Sequence, residues 1–147
     1  MSATTFPFHD GYLASISVAE GEAVLGLKQA DGTAYRMTLA GLQALSIDGF
    51  REGNIIMRIW SVTGKSLDAD DVPTDTVREA MEILFPGPYP IAEAHYHRRH
   101  EEFLAVKLDQ VAKGEAALVF IEPAYGADLL AFCSSVALDR FPSGSDG

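Results

Sequence analysis

A two-residue alternation of apolar and polar side chains constrains the fold of this chain more than any other feature. The alternation runs through Tyr12–Val18 and Ala23–Leu27, and Glu20-Gly21-Glu22 provides a tight turn between them. Successive side chains of a β-strand point to opposite faces, so this period predicts strands that bury one face. A further long strand is predicted over Gly53–Val62. Its faces are expected to carry Ile55, Met57 and Ile59 on one side, and Ile56, Arg58, Trp60 and Val62 on the other.

The turn Ala30-Asp31-Gly32 fixes which residues pair across the next hairpin. A two-residue Asp-Gly loop would set Leu27 opposite Arg36 and mix apolar with polar groups on each face. A three-residue loop that ends in Gly32 with a positive φ keeps both faces uniform. We therefore predict a type I turn with a glycine bulge. The expected cross-strand pairs are Leu27 with Tyr35, Leu25 with Met37, and Ala23 with Leu39.

The period changes in the middle of the chain, where a helix is predicted over about residues 73–86. After the acidic turn Asp68–Asp71, apolar residues recur at the spacing of an amphipathic helix. Thr76 and Glu79 have the spacing of a capping box, and the prolines of Pro86–Pro90 prevent the helix from continuing. The apolar face would consist of Val77, Ala80, Met81, Leu84 and Phe85.

The strand pattern returns near the C-terminus, where three segments resemble segments near the N-terminus. Strands are predicted at Phe103–Val111, Ala116–Ile121 and Leu129–Leu138. The matching segments are His9–Ala14 with His100–Ala105, Gly21–Leu25 with Gly114–Leu118, and Ala44-Leu45 with Ala137-Leu138. Two interpretations stay open: a duplication with pseudo-repeats at 9–48 and 100–141, or a chance agreement between common residues.

A duplication predicts the overall architecture. The chain would be a single domain, residues 1–147, of the mainly β class. Two pseudo-repeated halves would form two packed antiparallel sheets or a partly open barrel, with one short amphipathic helix inserted between them.

The composition of the chain limits its partners. The chain has 21 Asp and Glu against 11 Lys and Arg, which gives a net charge of −10. Nucleic acids and anionic lipids are bound through Lys and Arg, so this charge argues against both and favours a basic protein partner. No apolar run approaches the roughly 18 residues that a membrane-spanning helix requires.

The compartment follows from the cysteine content and the N-terminus. The single thiol, Cys133, cannot form an internal disulfide, and its apolar neighbours predict a buried packing residue. Met1–Asp10 lacks the basic start and the apolar core of a signal peptide. A cytoplasmic location is therefore expected.

Three of the four histidines lie in Glu93–Glu102, which we consider first as a metal site. On a strand, His95 and His97 would project from one face, and imidazole is a common metal ligand. The pattern His95-x-His97-x3-Glu101 resembles the first metal motif of cupins, which are β-proteins. The resemblance implies a metal-dependent enzyme with Zn or Fe held by His95, His97 and Glu101. No histidine follows His100, so the ligand set would be two histidines and one carboxylate.

Two other interpretations of this histidine segment stay open. On a helix, His97 and Glu101 would be stacked at i and i+4, with His100 alongside. Alternatively, the segment is a solvated connector that binds no metal or other cofactor. Arg98 and Arg99 would then pair with Glu93, Glu101 and Glu102.

The second candidate is a ligand-binding site at His9 and Asp10. The pair precedes the first strand predicted above, and the duplication would bring it together with His100 and Glu101. Such a histidine–acid pair could orient a polar ligand or act as a general base. The alternative is that the pair satisfies backbone groups and fixes the turn before the strand.

The opening Phe8–Leu13, followed by a strand, a turn and a second strand, resembles the start of a group of small bacterial proteins. These proteins are β-rich and of uncharacterised function, and some are grouped with toxin-neutralising immunity proteins. The resemblance covers the N-terminal third of the chain and implies a non-enzymatic, acidic, cytoplasmic binding domain.

Our leading hypothesis is a binding domain without a catalytic role that recognises a protein or a small ligand. Its negative charge would steer it to a basic partner. The rival is the metal-dependent, cupin-like enzyme. A third hypothesis is self-assembly into a homodimer through exposed edge strands.

Overall fold

The computed structural model describes residues 2–64 and 74–141, and this part of the chain is mainly β. The acidic turn Asp68–Asp71 lies outside the described residues. The strands are β1 (Ser2–Phe6), β2 (Tyr12–Ala19), β3 (Glu22–Lys28), β4 (Ala34–Ala40), β5 (Ala44–Asp48), β6 (Asn54–Thr63), β7 (Ala117–Tyr125), β8 (Asp128–Cys133) and β9 (Ser135–Arg140). The helices are α1 (Thr74–Leu84) and α2 (Ala94–Ala112).

All nine strands belong to one antiparallel sheet, which replaces the two packed sheets that the repeat predicted. The strand order is β5-β8-β7-β6-β2-β3-β4-β9, and β1 pairs with the part of β6 that β2 leaves unpaired. Strand β4 continues into β5 after Gly41–Gln43, and β8 continues into β9 after Ser134. The end strand β5 is thus the continuation of β4, which lies next to the other end of the path. The end strand β9 is likewise the continuation of β8.

The hairpin registers confirm the predictions made from the turns. Ala19 pairs with Glu22 across a two-residue turn, in which Glu20 and Gly21 both have positive φ. In the next hairpin Gly32 has a φ of 90°, and its backbone N–H donates to the carbonyl of Gln29. The observed pairs are Leu27 with Tyr35, Leu25 with Met37, and Ala23 with Leu39. Glycine adopts this φ without a steric penalty, which is why the bulge forms here.

Strand β6 contains a bulge that the alternation in the sequence did not predict. Its register to β7 shifts on both sides of Ile56, and Met57 is left exposed on the bulge. Ile56 therefore joins Ile59 in the same apolar cluster, although the prediction put them on opposite faces. A bulge inserts one unpaired residue and reverses the alternation beyond it.

The inner face of the sheet lines a single apolar core. This core takes buried side chains from β2, β3, β4, β6, β7 and β8, together with Phe8 from the loop before β2, and partly buried side chains of β1, β5 and β9 pack against it. Because one cluster contacts nearly every strand, the sheet curves around it. The fully buried members with the largest side chains are Phe8, Leu13, Leu25, Leu27, Met37, Leu39, Ile56 and Ile59.

A second apolar cluster lies between the outer face of the sheet and the two helices. It combines Trp60 and Val62 of β6 with strands β7 and β8. Helix α1 contributes the predicted face, of which Val77, Ala80, Met81 and Leu84 are buried and Phe85 packs against them. The helix begins at Thr74, so Thr76 lies within its first turn and the predicted capping box is wrong.

Helix α2 contradicts the predicted strand at Phe103–Val111. Leu104 and Val111 are its buried residues, and Leu108 packs beside them. The spacing from Leu104 through Leu108 to Val111 is that of a helical stripe. The intervening Ala105, Lys107 and Gln110 are strong helix formers, and they outweigh the short alternation from which we predicted a strand.

Helix α2 also contradicts the first match of the internal repeat. Residues 12–19 form a strand, whereas the matching residues after His100 belong to α2. The predicted halves 9–48 and 100–141 are therefore not two copies of one unit. The chain also inserts two helices between its strands, where the repeat allowed one.

Neither helix in the described part of the chain has the length and apolar character needed to cross a membrane.

Candidate functional site

The predicted metal ligands lie on helix α2 and do not converge. His95 and His97 are two residues apart on a helix, so they point in directions roughly 200° apart. The Nδ1 atom of His95 lies 3.3 Å from a carboxylate oxygen of Glu93. Among the described residues no group of three or more His, Cys, Asp or Glu side chains could hold a metal ion. The described structure therefore does not bring the predicted ligands for Zn or Fe together.

Glu101 has a different partner from any that the sequence suggested. Both of its carboxylate oxygens accept hydrogen bonds from Nη2 of Arg78, at 2.5 and 2.6 Å, which ties α2 to α1. Hydrogen bonding to Arg78 lowers the pKa of Glu101 and raises the pKa of Arg78. Arg78 neutralises this carboxylate. Arg98 and Arg99, which were predicted as its partners, do not.

His9 and His100 have separate environments, so the pseudo-symmetric ligand site does not form. The Nε2 atom of His100 lies 2.8 Å from the carbonyl oxygen of Phe85, beyond the end of α1. Its ring lies so close to Gly87 that a Cβ there would be 2.8 Å from Nδ1. His9 instead lies beside Asp10, with Nδ1 3.3 Å from a carboxylate oxygen, and both side chains are exposed.

His9 does line a groove, which we call the His9 groove. It has a volume of about 630 Å³ and lies between the end of β1, the bulge of β6 and the edge of β7. This volume falls within the range of small-molecule and side-chain binding pockets. The lining residues are Thr5, Phe6, Pro7, His9, Met57, Arg58 and Glu122.

An ion pair between neighbouring strands forms the polar part of the His9 groove. Arg58 donates to both oxygens of Glu122, at 2.6 and 3.3 Å, and Trp60 Nε1 donates to the same carboxylate at 3.0 Å. The guanidinium of Arg58 also lies 4.5 Å from the centre of the Trp60 ring. Trp60 in turn stacks on Phe120 at 4.2 Å. Each of these contacts fixes the Arg58 side chain further, so the groove keeps a defined shape.

The loop that carries His9 is held to the sheet on both sides. Phe8 is completely buried and packs edge-on against Tyr35 at 5.4 Å. Asp10 donates its backbone N–H to the carbonyl of Ile56. Asp10 also has a φ of 63°, a conformation that aspartate tolerates better than most residues. The backbone at His9-Asp10 is therefore held at the entry to β2, while both side chains stay exposed.

The groups with displaced pKa values lie outside the His9 groove. Burial raises the pKa of the Cys133 thiol to about 11, which agrees with its predicted packing role. Hydrogen bonds from Thr33 lower the pKa of Asp31 within its turn. Hydrogen bonding to Asp109 raises the pKa of Lys113 at the end of α2. Ion pairing, turn geometry or burial accounts for each shift.

Sequence reasoning found His9 but missed the residues that surround it. The alternation put Met57 on the same face as Ile59, whereas Ile59 is buried and 49% of Met57 is exposed at the bulge. Arg58 and Glu122 are 64 residues apart in sequence and meet only through the pairing of β6 with β7. The one available signal was an arginine beside a tryptophan in an otherwise apolar strand.

Comparisons with protein-family models, with curated proteins and with solved structures find no match to this chain.

Proposed function

We propose that this protein is a non-catalytic binding domain, and that the His9 groove holds a segment of a basic partner protein. The observation that carries the proposal is the groove itself, which combines apolar walls with a fixed ion pair and an exposed histidine–acid pair. Apolar contact with a few fixed polar groups is the usual composition of a recognition site.

Exposed Met57 and the neighbouring Phe6 and Pro7 provide the apolar walls. Methionine adapts its shape to a partner, and Met, Trp and Arg are enriched where protein interfaces are buried. Arg58, which the buried Trp60 ring holds in place, lines the groove together with Met57. A partner side chain could therefore bury apolar surface here without a large rearrangement of the groove.

Charge favours a cationic partner over an anionic one. The chain carries a net charge of −10, which attracts basic proteins and raises their association rate at low salt. Arg58 neutralises Glu122 within the groove, so Asp10, which lies beside His9, is the carboxylate that remains to contact a cation. The N-terminal resemblance to proteins grouped with toxin immunity proteins supports a protein partner, such as a cationic toxin, in a cytoplasmic location.

Affinity capture with matched variants tests this proposal. The protein, the variant Met57→Asp and the control variant Val106→Asp are each immobilised and exposed to lysate of the source cells. Val106 is exposed to a similar extent, 56% against 49%, but lies on α2 away from the groove. We expect a basic protein to bind the wild-type chain and the control, and to bind Met57→Asp at least about tenfold more weakly.

The captured protein is then purified, and its affinity is measured at two salt concentrations. Affinity that falls as salt rises supports attraction between opposite charges. Binding that both variants retain equally, or a partner that is acidic, would contradict the proposal. Thermal unfolding of both variants checks that neither substitution has disrupted the fold.

A further inference from the structure

A second groove lies on the other side of the His9 loop, and we call it the Lys28 groove. It has a volume of about 550 Å³ and lies between the start of β2, the end of β3 and the loop before β6. It shares no lining residue with the His9 groove. Its lining consists of Tyr12, Leu13, Ala14, Lys28, Phe50, Arg51, Glu52 and Gly53.

The Lys28 groove contains two cations in a strongly acidic chain. In the described part of the protein neither Lys28 nor Arg51 takes part in an ion pair, which is also true of five other cations. Glu52 is the acidic residue of the lining, so the groove keeps one net positive charge. A carboxylate would find here two donors that are not already neutralised.

The walls of the Lys28 groove favour a planar apolar body. Tyr12 and Phe50 are 43% and 47% exposed, so part of each ring is accessible to a ligand. Both rings line the groove, and no ring-to-ring contact of the described chain joins them. A flat ligand could therefore contact either ring without breaking an existing stack.

The backbone of the Lys28 groove is fixed by Asn54, which is 2% exposed. Its side-chain oxygen accepts the backbone N–H groups of Arg51 (2.7 Å) and Ala127 (3.1 Å). Its amide nitrogen donates to the carbonyls of Leu13 (3.1 Å) and Arg51 (2.5 Å). The loop that carries Arg51 is thus attached to β2 before any ligand arrives, which lowers the entropy cost of binding.

From this arrangement we propose that the Lys28 groove binds a small molecule that joins an aromatic ring to a carboxylate. Lys28 and Arg51 would hold the carboxylate, and Tyr12 and Phe50 would contact the ring. The apolar part is required because the net charge of the whole chain repels a bare anion. The proposal does not depend on the function proposed for the His9 groove.

Nuclear magnetic resonance titration of the ¹⁵N-labelled full chain tests the proposal with 2-naphthoate as the probe. We expect saturable shifts at the amides of Tyr12 and of residues 50–53. The neutral analogue 2-naphthamide has the same ring system, so it isolates the contribution of the carboxylate. It should bind about tenfold more weakly or worse, because charge-assisted hydrogen bonds are lost.

Two double variants assign the carboxylate contact. Lys28→Gln/Arg51→Gln should weaken 2-naphthoate binding at least about tenfold, and Arg98→Gln/Arg99→Gln should leave it within about twofold. All four residues are exposed, so both variants are expected to fold, and thermal unfolding checks this. Met57→Asp should bind the probe like the wild type, which separates this groove from the His9 groove.

The proposal is overturned by any of four results. These are no shifts with 2-naphthoate up to about 5 mM, shifts that map outside the groove, equal affinity for the amide, or unchanged binding in Lys28→Gln/Arg51→Gln.

Discussion

The side chains on the inner face of the sheet pack against one another. Those on the outer face are buried only where the two helices cover them, and the helices cover only part of this face. The inner core draws on β2, β3, β4, β6, β7 and β8, and the cluster under the helices draws on β6, β7 and β8. Over β2, β3, β4 and β9 the outer face stays open, with side chains such as Ser17, Arg36 and Asp139 exposed.

This difference separates the region that stabilises the fold from the region that contains the two grooves. The inner core sets the curvature of the sheet, and its largest side chains are fully buried. Both grooves lie at the end of the sheet where the loops around His9 and Phe50 meet the strands, beyond the cover of the helices. Side chains there can change with less effect on the fold.

The largest effect is expected from the inner core. Leu25→Ala should lower the free energy of unfolding by about 3 to 4 kcal/mol, because Leu25 is completely buried and the cavity cannot collapse. Val18→Ala on the neighbouring strand should cost less than about 0.5 kcal/mol, since Val18 is 54% exposed. Urea unfolding measures both. Equal losses would contradict the burial that distinguishes Leu25 from Val18.

The next largest effect is expected at the loop anchor. Asn54→Ala should cost about 2 to 3 kcal/mol, because it leaves buried backbone groups of Leu13 and Ala127 without partners. Gln29→Ala is the control, since Gln29 makes one exposed hydrogen bond to Pro7 and should cost less than about 1 kcal/mol. If both variants unfold at the same urea concentration, Asn54 does not anchor the loop.

Substitutions in two charged cross-strand pairs should change the free energy of unfolding by smaller amounts and with opposite signs. Asp48 lies opposite Asp128, so Asp128→Asn removes a repulsion and should stabilise the protein by about 0.5 kcal/mol. Arg36 lies opposite Asp139, so Asp139→Asn should destabilise it by a similar amount. Changes of the same sign would contradict the observed strand registers.

The smallest effect is expected at the ion pair between the helices. Arg78 lowers the pKa of Glu101 below its ordinary value of 4.5, so the folded state binds this proton less readily than the unfolded state. The stabilisation is therefore present above pH 4.5 and is lost as the pH falls through the lowered pKa. Glu101→Gln should reduce the fall in melting temperature between pH 6 and pH 3. An unchanged pH profile would mean that the pair is too exposed to matter.

The sequence predicted the β2–β3–β4 hairpins because local turns determine them. Gly32 allows one register that keeps Leu25 and Leu27 on the buried face, and a strand shifted by one residue would expose both. The apolar face of α1 was predictable for a similar reason, because five residues repeat at helical spacing between the acidic turn and the prolines.

The remaining features depend on contacts between distant residues. A bulge at Met57 cannot be recognised within a run of apolar residues in the sequence. Arg58 contacts Glu122 only after β6 and β7 have paired. Helix α2 was missed because Phe103, Ala105 and similar residues also fit a short strand pattern. The histidine segment forms a helix, as one of its open interpretations had it, and a helix separates the side chains of His95 and His97 that a strand would align.

Hydrogen exchange on the captured complex tests the role of the His9 groove most directly. Backbone amides are compared in the free chain and in the complex, with α2 as the internal reference. We predict that bound partner slows exchange in residues 5–9 and at Met57 and Arg58, and leaves residues 100–112 unchanged. Slowed exchange confined to α2, or none in the groove, would contradict the assignment of this groove as the binding site.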